Sequence, residues 1–204
     1  MPCPPALSRR LAIIAGAVLL SLTLALPAPA YDSYLSEQAI REAYFLGSRE
    51  GGLPPPFLAQ YSHWVRELHQ GTCTTEIRLE TPFLQVAEYL SKVPNYSSQD
   101  AVKGFYGRPM MLRIFLNICY LLEAPSPNSV KIKIIQNKKE IIPVSDTRLF
   151  YAEPLNEVSD LPANGERAEM EFDAQGIASS SLTVQIDTPD GQHATTDIDL
   201  QGVR

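Results

Sequence analysis

The 204-residue chain has little of what usually carries chemistry: three His, one Trp and three Cys. It holds no G-x-S-x-G turn to present a nucleophile, no G-x-x-x-x-G-K-[ST] loop to cradle phosphate and no G-x-G-x-x-G fingerprint for a dinucleotide. Positive charge is also scarce. Seventeen Lys and Arg face 23 Asp and Glu, a formal charge of −6, whereas a dedicated nucleic-acid binder is normally basic. Internal repeats and low-complexity segments are absent. With 45% apolar and 20% charged residues, the composition is that of a globular chain and excludes a disordered, collagen-like or coiled-coil one.

The one long uncharged run is Leu11 to Leu26, and it follows Arg9 and Arg10. Ala28-Pro29-Ala30 then places small residues where a signal peptidase reads them. A basic start, an apolar middle and an A-x-A end form a secretory signal peptide, expected over residues 1–30 with cleavage between Ala30 and Tyr31. The run is shorter than the roughly 20 residues that span a bilayer. Cys3 precedes it, so no cysteine stands where a lipoprotein needs one. Ser8-Arg9-Arg10 has the twin arginines of a second export route, but the strongly apolar segment after them fits the general one. Cleavage would leave 174 residues with 15 basic and 23 acidic side chains, a charge of −8. No later apolar run reaches spanning length, so the mature chain is expected in the periplasm or outside the cell, without a membrane span.

Two cysteines remain, Cys73 and Cys119. In an oxidising compartment such a pair is a candidate disulfide. It would close a loop of about 45 residues, worth ~4 kcal/mol in the chain-entropy account. The alternative is two buried thiols acting as small apolar side chains.

Along the mature chain, helical signals come first. Ser36 can cap a helix with Ile40, Ala43 and Tyr44 on one face, ending at Gly47. Phe57, Leu58, Tyr61, Trp64, Val65 and Leu68 form one apolar stripe at helical spacing, which predicts a second helix and makes residues 31–71 a helical hairpin docked on the rest. Phe57, Tyr61, Trp64 and Leu68 are its expected anchors. Thr75 to Glu80 alternates as a half-buried strand. Thr81-Pro82 opens a helix that Pro94 stops, and Ser97 opens a shorter one to about Tyr106; these form a helical insertion at 81–106. From Met110 the period becomes two. Met111 to Leu122 is apolar on both faces and predicts a strand covered on both sides. Further strands are expected near 130–134, 140–144, 148–151, 168–172, 182–187 and 194–200, with residues 154–166 a polar loop. Pro189-Asp190-Gly191 turns the final hairpin.

Seven or eight short strands with turns between them predict an α+β fold: an antiparallel β-sandwich of immunoglobulin-like architecture over 72–204, with the helical hairpin and the insertion packed on one sheet. The segment from Glu171-Phe172-Asp173 through Leu182 to Gln192 resembles the closing strands of exported bacterial proteins, a resemblance that implies no activity.

Candidate sites are few. His63 and His69 lie six apart, about 240° around a helix at ~100° per residue, so they cannot readily chelate one ion; His63 is expected in solvent. Asp187, Asp190, Asp197 and Asp199 gather in the last hairpin, with Asp173 as a further acidic neighbour, without the spacing of a calcium loop. Lys131, Lys133, Lys138 and Lys139 make a basic patch that reads as a solvated strand face, or as protection of an edge strand. No residue is assigned as catalytic, metal-ligating or cofactor-binding. The expected function is an exported, non-catalytic binding or accessory module for a protein or glycan partner in the envelope or outside, with no nucleic acid involved. The alternatives are a secreted hydrolase and an envelope assembly subunit that works by strand pairing.

Overall fold

The computed structural model describes residues 34–70, 73–120, 130–153, 163–177 and 179–204. The expected signal peptide, the Ala30–Tyr31 cleavage site and residues 154–162 of the polar loop lie outside the described residues. So do the side chains of His69 and Cys73.

The helices begin where the capping signals place them. Ser36 caps α1 (Glu37–Gly47), its Oγ accepting from the Ala39 N–H at 3.1 Å. Pro54-Pro55-Pro56 leads into a single turn, α2 (Pro55–Ala59). Thr81 caps α3 (Pro82–Lys92), and Ser97 caps α4 (Ser98–Phe105) through a reciprocal capping box with Asp100. Helices α1 and α3 cross closely at Gly47, where a Cβ would sit 2.2 Å from the Ala87 carbonyl oxygen.

Among the described residues, nine strands make two antiparallel sheets. They are β1 (Ser62–Gln70), β2 (Cys73–Glu80), β3 (Met111–Tyr120), β4 (Lys131–Gln136), β5 (Lys139–Ile141), β6 (Ser145–Glu153), β7 (Ala163–Asp173), β8 (Ser181–Asp187) and β9 (His193–Asp199). One sheet has the order β1-β2-β3-β7-β6, the other β5-β4-β8-β9. Tight turns set the short hairpins. Asn137 and Lys138 both take left-handed backbone between β4 and β5, the pattern of a type I′ turn. Gly191, at φ +84°, closes the β8–β9 turn. Ile77, Ile114, Leu116 and Phe172 of the larger sheet and Ile134, Leu182, Val184 and Ile198 of the smaller belong to one buried apolar cluster. Fully burying each such side chain contributes about 1.5–3 kcal/mol.

The structure corrects several expectations. The helix over Phe57–Leu68 is instead α2 followed by strand β1, so residues 31–71 are not a separate helical hairpin: β1 belongs to the five-stranded sheet. The reason is a bulge. Pairing of β1 with β2 slips between Val65 and His69, leaving Arg66 and Glu67 both exposed between buried Val65 and Leu68. Buried Tyr61, Val65 and Leu68 therefore fall at i, i+4 and i+7 although the segment is a strand, which imitates a helical stripe. Trp64 is not an anchor; it is 60% exposed.

The helices do not blanket a sheet. Buried residues of α1, α3 and α4 form a second apolar cluster of their own, with Ile40, Ala43, Phe83, Val86 and Ala101 at its centre. Leu84 of α3 joins the main core instead, and partly buried Leu53 and Phe57 pack against both clusters. As a result, from Met111 to Asn117 β3 is not covered on both sides among the described residues. Leu112, Ile114, Leu116 and Ile118 are buried, while Met111, Arg113, Phe115 and Asn117 remain partly exposed on the other face. Finally, residues 163–166 of the expected polar loop belong to β7.

Candidate functional site

Antiparallel register builds the uncovered face row by row, because directly paired residues share a face. Trp64, Glu76, Asn117, Arg167 and Leu149 form one row across all five strands. Arg78, Phe115, Glu169 and Thr147 form the next, and Glu80, Arg113, Glu171 and Ser145 the third. Glu88 of α3 stands at the β2 side. Apart from Trp64, the first two rows, with Glu80 and Glu88, line a groove of about 450 Å³. Phe115 lies in its floor, and Leu149, 60% exposed, forms an apolar rim.

The charges of this face are partly self-neutralised. Arg113 donates from Nε to Glu171 Oε1 at 2.8 Å and from Nη1 to Glu80 Oε2 at 3.4 Å. Arg78 is ion-paired with Glu88. Burial pushes the Glu80 carboxyl above its ordinary range, the adjacent Glu88 carboxylate adds to the rise, and Arg113 offsets part of it. Burial works against the Arg113 charge, yet the Glu171 and Glu80 carboxylates outweigh it and hold the guanidinium more firmly protonated. Among the described residues, Glu76 and Glu169 take part in no ion pair.

The residues singled out from the sequence fall elsewhere. His63 sits on β1 rather than a helix and is half-buried; its Nε2 is buried with no hydrogen-bond partner among the described residues, and burial pulls its pKa down. His193 Nδ1 lies 2.6 Å from Asp187 Oδ1 on the exposed last hairpin. The carboxylates there serve the hairpin itself. Asp197 accepts from the Thr183 hydroxyl at 2.6 Å, Asp190 from the Gln192 amide at 2.6 Å, and Asp199 from the Gln201 N–H at 2.8 Å. Asp173 lies apart from them, capping the 3₁₀ turn at Ala174–Gly176. Lys131 and Lys133 are exposed on β4; there β4 pairs with β8 alone among the described strands, because its pairing with β5 covers only Ile134 to Gln136, and Lys139 opens β5, an edge strand of the sheet. Cys119 is fully buried on β3, and its N–H donates to Thr75 Oγ1 at 3.1 Å. Cys73 opens the neighbouring strand β2. Among the described residues no group of three His, Cys, Asp or Glu could hold a metal ion, and no helix is long and apolar enough to cross a membrane.

The sequence did hold a signal for the groove. Glu76-x-Arg78-x-Glu80 and Arg167-x-Glu169-x-Glu171 carry charged side chains on one parity, and Arg113-x-Phe115-x-Asn117 sets two polar side chains about an aromatic one. Their convergence depends on β3 pairing with β7, residues far apart in the chain, which no local pattern reveals. Comparison of the chain with protein-family models, with curated proteins and with solved structures finds no match.

Proposed function

We propose that this protein is an exported, non-catalytic binding module and that the outer face of its five-stranded sheet holds the partner. The observation that carries the reading is the groove itself. A central strand bearing half-buried Phe115 is left open because the helices pack on one another. A concave face mixing an apolar floor with a few oriented polar groups is the usual form of a binding site. Export rests on the basic, apolar and A-x-A segments of residues 1–30, with release between Ala30 and Tyr31. Placement on adjacent strands supports a Cys73–Cys119 disulfide; two free thiols in the denatured, non-reduced exported chain would contradict it. The shared apolar cluster supports stacking of the two sheets as a sandwich of immunoglobulin-like architecture.

Photo-crosslinking in the producing cell tests the binding face. A photoreactive side chain at Leu149 or Glu76 should give a discrete adduct, and one at exposed Thr195 on β9 should not. Adducts from Thr195 alone, or from none of the three, would refute the assignment.

One observation favours hydrolysis as a second reading. Glu80 and Glu88 interact within the groove, and the rise in the Glu80 pKa is what a general acid needs. Turnover of an ester, peptide or glycan substrate that is lost in Glu88→Gln would favour that reading over simple binding.

A further inference from the structure

We infer that the partner held on the outer sheet face is a basic polypeptide segment that also carries apolar side chains. This rests on the assignment of that face as the binding surface. The argument is one of charge complementarity. Five carboxylates (Glu76, Glu80, Glu88, Glu169 and Glu171) share the face with three guanidiniums (Arg78, Arg113 and Arg167). Arg78 and Arg113 are already matched to carboxylates of the protein, and Arg167 has a partner of its own. Each guanidinium of the face is thus already engaged, whereas Glu76 and Glu169 take part in no ion pair among the described residues.

Those two carboxylates straddle β3, one on β2 and one on β7, offset by one row. At the usual strand spacing and rise this separates them by about 12 Å. Phe115, which pairs directly with Glu169, offers a ring to a cation in the same space. An ammonium or guanidinium here gains a charge-assisted hydrogen bond and a ring contact together. The acidic balance of the whole chain steers cations toward it and repels anionic glycans and phosphates.

The ends of the first row supply the apolar requirement. Trp64 and Leu149, each 60% exposed, lie four strand spacings apart, about 19 Å. An extended segment of about six residues covers that span.

The chain contains a single Trp, so the emission of Trp64 reports on its own row. The test is a fluorescence titration of the exported chain with a blocked hexapeptide of alternating arginine and leucine. The probes for comparison are its glutamate–leucine counterpart and a panel of neutral oligosaccharides. The arginine peptide should saturate at one equivalent, shift the Trp64 emission and weaken as salt rises. Glu76→Gln and Glu169→Gln should each weaken it about tenfold and together abolish it, and Asp197→Asn with Asp199→Asn on β9 should leave it unchanged. Equal binding of both peptides, or equal loss in the β9 variant, would overturn the inference, as would failure of the arginine peptide to bind. An oligosaccharide that alone shifts Trp64 would overturn the partner class while sparing the sheet-face assignment. Failure of the assignment itself would appear separately, as absence of the Leu149 crosslink.

Discussion

Removing the Arg148 side chain should destabilise the protein far more than an ordinary surface substitution. Glu166 is fully buried on β7, and its Oε1 accepts from Arg148 Nη1 at 3.1 Å. Its Oε2 has no hydrogen-bond partner among the described residues, so Arg148 carries most of its stabilisation. Breaking a buried pair by deleting one member costs about 3–5 kcal/mol, because an uncompensated charge stays behind. Asp146, the other partner of Arg148, is 36% exposed and can be solvated when released, which places Arg148→Ala near the lower end, about 3 kcal/mol. Replacing both members with apolar residues of similar volume, Glu166→Leu with Arg148→Met, should fall within about 1 kcal/mol of the parent. Urea unfolding followed by circular dichroism measures all three chains, with equal slopes required before their midpoints are compared. A cost below about 1 kcal/mol for Arg148→Ala, or a double variant as unstable as the single one, would refute the reasoning.

Three further outcomes follow from the packing and the charges. Trp64→Ala should change stability by no more than about 0.5 kcal/mol, while Leu68→Ala, which empties a fully buried position, should cost about 2–5 kcal/mol in the same urea assay. Ser97→Ala should remove the α4 capping box and lower stability by about 1 kcal/mol, read as a fall in thermal midpoint. Glu80→Gln tests the raised carboxyl. A folded pKa above the unfolded one favours the folded state at low pH, and that contribution is lost as pH rises through the folded value. The stability of the parent minus that of Glu80→Gln should therefore fall as pH rises across the weakly acidic range. A difference that rises instead would contradict the account.

Much of the fold was legible because its signals are local. Strands such as β2 and β8 alternate with period two, and Ser36, Thr81-Pro82 and Ser97 with Asp100 mark their helices by capping chemistry. Strand β1 was misread because its bulge sets buried Tyr61, Val65 and Leu68 at helical intervals, and only the pairing with β2 exposes the irregularity. The groove was not legible for a different reason. Phe115 was expected under helices, and the choice of α1, α3 and α4 to pack on each other is a tertiary outcome that hydrophobic period alone does not decide. Nothing near Glu76 or Glu169 in sequence says that they meet across β3.

The account stands most directly on the outer sheet face being the surface that meets the partner. Amide hydrogen exchange of the chain, alone and with the partner trapped by crosslinking, measures this directly. Partner binding should slow exchange in β6, which pairs only with β7 among the described strands, in β7 and in the opposite edge strand β1, and leave β8 and β9 unchanged. Protection confined to β8 and β9, or absent from the five-stranded sheet, would contradict the account.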